Sequence, residues 1–311
     1  MDDGASRPRI GLALGSGGAR GLCHIGVLTE LETLGVPIDL IAGTSMGAIV
    51  GAVYAGGGLQ ELHDFVRGLN RARILRMVDL APGQGGLLGG RALTRVIEGM
   101  IDARRFEDLS IPLTVVASDM KTGYETRFNS GPLTPAVRAS SAIPAVVRPI
   151  RVNGAWYLDG ALTNPCPVSV AREMGADIVI AVDPSAHIDG TIWEARQESD
   201  LWSAFGDFVE KIPGLPDRWG SLFDIDETRG ERGPNLFDVI ASTTDIVAEQ
   251  LRRQHFALYP PDIFLPADLE TMRVLDFDRA NEAIDEGHRL VKAHADMIRD
   301  LTLGKDKSTG V

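Results

Sequence analysis

The stretch Ile38-Asp39-Leu40-Ile41-Ala42-Gly43-Thr44-Ser45-Met46-Gly47-Ala48-Ile49-Val50-Gly51-Ala52-Val53-Tyr54-Ala55 decides how this chain is read. A short apolar strand runs straight into Gly43-Thr44-Ser45-Met46-Gly47, and a helix of small residues starts at the serine. That order is the sequence form of a nucleophile elbow: a sharp strand-to-helix turn with a serine at its apex. Gly43 and Gly47 let the backbone turn and keep side chains away from the hydroxyl. The first amides of the helix and its positive dipole end face any anion that forms at the serine. A bare G-x-S-x-G recurs by chance, so the weight falls on what surrounds it.

Strand and helix signals alternate from residue 8 to about 183. Ile10–Leu14 reads as a strand, Ala19–Leu34 as a helix, Ile38–Ala42 as a strand, and 59–70 and 91–102 as polar helices. Pro112–Asp119 reads as a buried strand, Tyr124–Phe128 as a more polar one, Trp156–Leu158 as a short one ending at Asp159, and Asp177–Val182 as an almost wholly apolar one. The pattern resumes with a helix near 236–256, a strand at Asp262–Leu265 and a last helix over Arg279–Leu301. Such alternation predicts an α/β three-layer sandwich with a central, largely parallel sheet. The whole of 1–311 is expected to form one domain.

Residues 185–235 interrupt the alternation with Pro213, Pro216 and Pro234 and with Trp193, Trp202 and Trp219. Within them Leu201, Trp202, Phe205, Phe208, Val209 and Ile212 fall on one helical face. The segment reads as a lid-like or capping insertion, its apolar stripe turned to the core or to lipid. The tail from Gly304 is expected to be disordered.

Composition narrows the partners. The net charge of −12, from 43 acidic and 31 basic residues, offers no basic stripe for a phosphate backbone, so nucleic acid is not an expected partner. The cluster Arg67, Arg71, Arg73 and Arg76 reads as a solvated helix end. The apolar runs are short or broken by Gly and Asp, and no apolar core precedes a cleavage site near Met1–Arg9, so neither a bilayer span nor a signal peptide is expected. Cys23 and Cys166 make no disulfide framework and suit a reducing, cytoplasmic setting as small buried hydrophobes. No histidine–cysteine spacing suggests a metal, and no cofactor is expected.

Gly15-Ser16-Gly17-Gly18-Ala19-Arg20-Gly21 lies between the first strand and the first helix. Its backbone amides make a nest for an anion, either a dinucleotide pyrophosphate or an acyl oxyanion. The glycines are spaced G-x-G-x-x-x-G, not G-x-G-x-x-G, and no acidic residue ends the second strand. The oxyanion reading wins, because one sheet edge then delivers both serine and donors. Asp159-Gly160-Ala161 follows a short strand. Its aspartate either opens a turn or stands at a strand end where α/β sheets gather their sites.

Taken in order, these pieces resemble the patatin-like phospholipases, both the compact bacterial members and the catalytic domain of the neuropathy target esterase group. The resemblance runs from Arg9 to about Leu290. It rests on the glycine loop with Arg20, His24-Ile25-Gly26-Val27-Leu28, the Gly43–Gly47 elbow, Phe106-Glu107-Asp108-Leu109-Ser110-Ile111-Pro112, Ala139-Ser140-Ser141-Ala142-Ile143-Pro144, Asp159-Gly160-Ala161 and Asn164-Pro165-Cys166-Pro167. Two departures stand out: Ser16 where many members carry glycine, and a longer 185–235 segment.

The resemblance implies a Ser-Asp dyad, with Ser45 as nucleophile and Asp159 as the base. It implies amides of Ser16, Gly17 and Gly18 as oxyanion donors, with Gly15, Gly21, Gly43, Gly47 and Gly160 shaping the turns and Arg20 holding the loop. The expected reaction is hydrolysis of a phospholipid or lysophospholipid ester through an acyl-serine, with transient contact at a membrane surface. Two rivals stay open: an α/β-hydrolase triad of Ser45, Asp159 and His288, and an acyl- or nucleotide-binding regulator without turnover. His24 is expected to serve helix packing.

Overall fold

The protein is seen in a computed structural model that describes residues 7–77, 79, 85–185 and 236–303. The expected insertion, apart from Ser185 at its start, and the expected tail from Gly304 lie outside these residues, as does the stripe from Leu201 to Ile212. In chain order the elements are β1 (Ile10–Leu14), α1 (Cys23–Thr33), β2 (Leu40–Thr44), α2 (Met46–Ala55), α3 (Leu59–Arg67), α4 (Arg71–Met77), β3 (Gly86–Leu88) and α5 (Arg91–Met100). Then come β4 (Leu113–Asp119), β5 (Glu125–Phe128), α6 (Leu133–Ser140), β6 (Ala145–Val147), β7 (Ile150–Val152) and β8 (Ala155–Asp159). The last are α7 (Val168–Glu173), β9 (Ile178–Asp183), α8 (Leu236–Leu258), β10 (Ile263–Pro266), α9 (Ala280–Ala293) and α10 (Ala295–Thr302).

The main sheet runs β10-β9-β1-β2-β4-β8-β7, with β5 paired to β4. The pairs from β10 to β4 are parallel, whereas β5, β7 and β8 pair antiparallel. Buried strands with helices on both faces read as near-continuous apolar runs, and the period of two decides which side chain goes where. Ile10, Leu12, Leu14, Ile41, Val115, Ile180 and Val182 join the core that holds α1, α2 and α9. Their neighbours Ala13, Leu40, Ala42, Val116, Val179 and Ala181 join the opposite core with Val168, Val170 and Ala171 of α7 and Phe256 of α8. Three layers result, as expected: a mixed, mostly parallel sheet between helices.

The short elements α4, β3, α6, β6 and β7 add to those expected, and two of the expected helices differ in form. The helix expected from Ala19 opens as a 3-10 turn over Gly18–Leu22 before α1 begins. The last helix breaks at His294, whose φ of −112° leaves the helical well while its Nδ1 bonds the Leu290 carbonyl at 2.8 Å. Cys23 and Cys166 are buried and free. Among the described residues no helix is long and apolar enough to cross a membrane.

The topology around β4 builds the site. Residues 113–116 of β4 pair with β2, the last pair being Val116 with Thr44. The next residue, Ala117, pairs with Asp159 of the antiparallel β8. Because β5 takes the other edge of β4 over Val115–Ser118, β2 and β8 must share one edge. They run towards each other along it and meet end to end. Ser45, one residue past the end of β2, and Asp159, the last residue of β8, therefore face one another across the junction.

Candidate active site

At this junction Ser45 Oγ donates to Asp159 Oδ2 at 2.6 Å. Both residues are buried, Ser45 4% and Asp159 2% exposed. Ser45 has φ 55° and ψ −118°, a conformation that an L side chain rarely adopts and that bends the chain from β2 into α2. Its amide donates to Ser140 Oγ at 2.8 Å, and its carbonyl accepts the amides of Ala48 and Ile49. Gly47 is required by close approach: a Cβ there would stand 2.1 Å from the Leu14 carbonyl oxygen. The elbow is thus pressed against the end of β1.

Asp159 has every polar atom engaged. Its amide donates to the Ala142 carbonyl at 3.0 Å and its own carbonyl accepts from Ser118 Oγ at 2.8 Å. Oδ1 accepts the Ala161 amide at 2.9 Å, leaving Oδ2 to the serine. Burial pushes the carboxyl up to about 6, against the two hydrogen bonds that favour its ionised form. Asp159 thus serves two contacts at once: Oδ1 closes the turn over Gly160–Leu162 and Oδ2 meets the serine. The strand it ends is antiparallel, so its placement comes from the register on β4 and not from a parallel sheet's carboxyl edge.

The glycine loop lies beside the elbow. Gly15 and Ser16 extend the end of β1, and their amides donate to the carbonyls of Val182 and Pro165 at 2.9 and 2.8 Å. The Ser16 amide is therefore occupied, which removes it from the expected oxyanion donors. The amides of Gly17 and Gly18 have no acceptor among the described residues, and Gly18 lines the same cavity as Ser45. Gly18 has φ +55°, and a Cβ there would meet the Val274 carbonyl oxygen at 2.2 Å. Arg20 is buried and pairs with Asp245 of α8 at 3.1 Å, with its Nε directed at the Gly17 carbonyl at 3.5 Å. That is a loop-holding position.

His24 is fully buried, and its Nε2 bonds the Gly15 carbonyl at 2.8 Å, which makes Nε2–H the donor. Burial pulls its pKa down to about 4, so the ring is neutral and props the loop. His288 pairs with Glu30 of α1 at 2.9 Å and touches neither Ser45 nor Asp159. The triad rival loses its histidine. Ser140 and the Asn164 carbonyl, which accepts from Thr44 Oγ1 at 2.8 Å, support the elbow without having been singled out in the sequence. Both sit in motifs whose order was legible while their contacts were not. Asp183, Arg252 and Asp245 were also missed; an aspartate closing the apolar 178–182 run was the available signal.

A cavity of about 280 Å³ opens from Ser45. Leu22, Met46, Ile49, Phe65, Leu93 and Val147 are among its apolar walls. The one charged lining residue among those described, Asp79, spends its carboxylate on the amides of Gly90 and Arg91 at 2.9 and 2.8 Å. Such a wall suits a hydrocarbon chain.

Comparison with known proteins agrees with this arrangement. The family model described as patatin-like phospholipase matches residues 12–172, which contain the glycine loop, the elbow and Asp159. An uncharacterized NTE family protein of Mycobacterium tuberculosis is 33% identical, over 92% of this chain and 91% of its own length. A protein named lysophospholipase NTE1, from Pyricularia oryzae, is 27% identical over 94% of this chain, which spans only 19% of that larger protein. The crystal structure of VipD from Legionella pneumophila shares the fold at a TM-score of 0.50 and 15% identity, over 94% of this chain and 67% of that one. With one match covering more than half the chain and another almost all of it, the chain belongs to the patatin-like phospholipase family.

Proposed function

We propose that the protein is a serine acyl hydrolase that cleaves the carboxylic ester of a phospholipid or lysophospholipid through a Ser45–Asp159 dyad. The observation that carries this reading is the 2.6 Å hydrogen bond between Ser45 Oγ and a buried carboxylate at the mouth of an apolar cavity. Ser45 Oγ attacks the ester carbonyl while its proton passes to Asp159 Oδ2. The carbonyl oxygen becomes an oxyanion that the Gly17 and Gly18 amides and the first turn of α2 stabilise. Collapse expels the alcohol, which takes the proton from Asp159. Water then attacks the acyl-serine by the same route in reverse, releasing the fatty acid and restoring Ser45.

A carboxylate is a weak base for a serine hydroxyl, and burial narrows that gap. A pKa of about 6 leaves Asp159 mostly ionised at neutral pH yet closer in basicity to the group it must deprotonate. The acyl chain lies against Met46, Ile49 and Phe65. The name lysophospholipase carried by one relative supports a single-chain lipid ester as substrate. A fluorophosphonate probe tests the reading, because its phosphorus accepts Ser45 Oγ as fluoride leaves. The parent is expected to label at Ser45, with labelling lost in Ser45→Ala. An unlabelled parent would mark the chain as a binder without turnover.

A further inference from the structure

Past the ends of β3 and β6, next to the acyl cavity, lies a second pocket, of about 450 Å³. Leu88 and Val147 line the cavity, whereas their neighbours Gly89 and Arg148 line the pocket, so the two share a wall. Four arginines, Arg91, Arg138, Arg148 and Arg151, meet there with Trp156. Arg138 is 5% exposed, and its guanidinium donates to the carbonyls of Gly89 and Arg148, with no carboxylate in ion-pair contact among the described residues. Burial above all, and then the neighbouring Arg148, lower its pKa, against Asp79, which raises it. Asp79 is the nearby acid, already bound to the amides that start α5 and paired with Arg91 at 3.5 Å.

Exposed apolar side chains continue the same surface. Trp156, 52% exposed, pairs across the strands with Arg151, and its carbonyl accepts the Met120 amide at 2.9 Å. Met120 is 50% and Tyr124 75% exposed, both in the turn between β4 and β5 that also carries the exposed Lys121. Asp119, the acid in that turn, is engaged by the amides of Lys121 and Thr122. Since β4 runs parallel to β2, this turn lies at the sheet edge that bears Ser45. A tryptophan, a tyrosine and a methionine beside five cations form the composition that settles at a lipid–water interface. In a chain of net charge −12 it is also a local reversal of sign.

We propose that this face, the arginine pocket together with Met120, Tyr124 and Trp156, is where the protein docks on an anionic phospholipid surface. Lipid phosphates fit the pocket through charge-assisted hydrogen bonds, and the three side chains enter the interfacial layer. The acyl cavity then lies beside the docked face, behind the wall that the two share. The choice of lipid as partner rests on the hydrolase reading, but the docking can be measured apart from it.

The experiment is co-sedimentation of Ser45→Ala protein with vesicles of phosphatidylcholine, alone or mixed with phosphatidylglycerol. Binding is expected only with the anionic lipid and is expected to fall as salt rises. Arg151→Gln should weaken it about fivefold, and Arg151→Glu by about that factor again. Trp156→Ser should weaken it further, and in the Ser45 parent all three substitutions should leave hydrolysis of a short soluble ester within about twofold of normal. Equal binding to both vesicles, or unchanged binding by the arginine variants, would overturn the proposal. So would full competition by millimolar inorganic phosphate, which would mark a site for small phosphates. Anionic binding by a protein that no fluorophosphonate labels would keep the docking and sink the hydrolase.

Discussion

Asp159 closes β8 and Asp183 closes β9, and the fold treats these two buried carboxylates in opposite ways. Burial pushes both upward. At Asp183 the guanidinium of Arg252, 2.9 Å away, works against that push, and Glu249 shares the same cation at 2.6 Å. Among the described residues Asp159 has no cation beside it; its side-chain partners are a hydroxyl and one amide. The first arrangement fixes α8 to the sheet. The second leaves a carboxylate able to take a proton and return it. The difference teaches that, on the proposed reading, the carboxylate that serves as base is marked by the countercharge it lacks as much as by the hydroxyl it touches.

The sharpest test of this contrast is Asp159→Asn. Ester hydrolysis should fall by about two to four orders of magnitude, because the amide cannot accept the serine proton. The same variant should be more stable than the parent above about pH 7, by up to about 3 kcal/mol, since it no longer buries an unpaired charge. The sign follows from the raised pKa. Asp159 adds stability that is complete below its unfolded value and is lost as pH rises through about 6. Melting temperatures of the two proteins should therefore converge towards about pH 4. An Asn variant that melted lower at every pH would break the contrast.

Arg252→Gln is the reverse experiment. Asp183 and Glu249 would lose their shared cation while 4% exposed each, a loss of about 3 kcal/mol. Chemistry at Ser45 should survive, read as fluorophosphonate labelling per folded molecule in a temperature series. The smallest expected effect is the pH profile of the parent. kcat/KM on a soluble ester should rise about tenfold per unit at low pH and level off above about 6, as Asp159 ionises. A profile with its midpoint near that of an exposed aspartate would show that burial does not tune the base.

Much of this was legible in the sequence, for physical reasons that differ by element. Ile10–Leu14 and Asp177–Val182 read as strands because burial on both faces demands near-continuous apolar runs. The elbow read as an elbow because Gly43 and Gly47 are the residues a tight strand-to-helix approach tolerates. What stayed hidden depends on register and distance. Nothing in Trp156-Tyr157-Leu158-Asp159 says that its strand runs antiparallel. Nothing around Ser16 says that its amide is spent on Pro165, 149 positions away by number. The arginine pocket was invisible for the same reason: Arg91, Arg138 and Arg151 are far apart in the chain, and only folding gathers them.

The end-to-end meeting of β2 and β8 on β4 has a consequence for how the proposed site is assembled during folding. Ser45 and Asp159 are 114 residues apart and become neighbours only through the template strand that both add to. Closing so long a loop is slow, and the parallel β1–β2–β4 layer can assemble without it. A slip of β8 by one position would turn Asp159 to the opposite face of the sheet while leaving the elbow intact. Reactivity at Ser45 thus reports the correct docking of the last hairpin. Its recovery after dilution from denaturant should lag behind the return of secondary structure, which makes the nucleophile a built-in clock for the final step of folding.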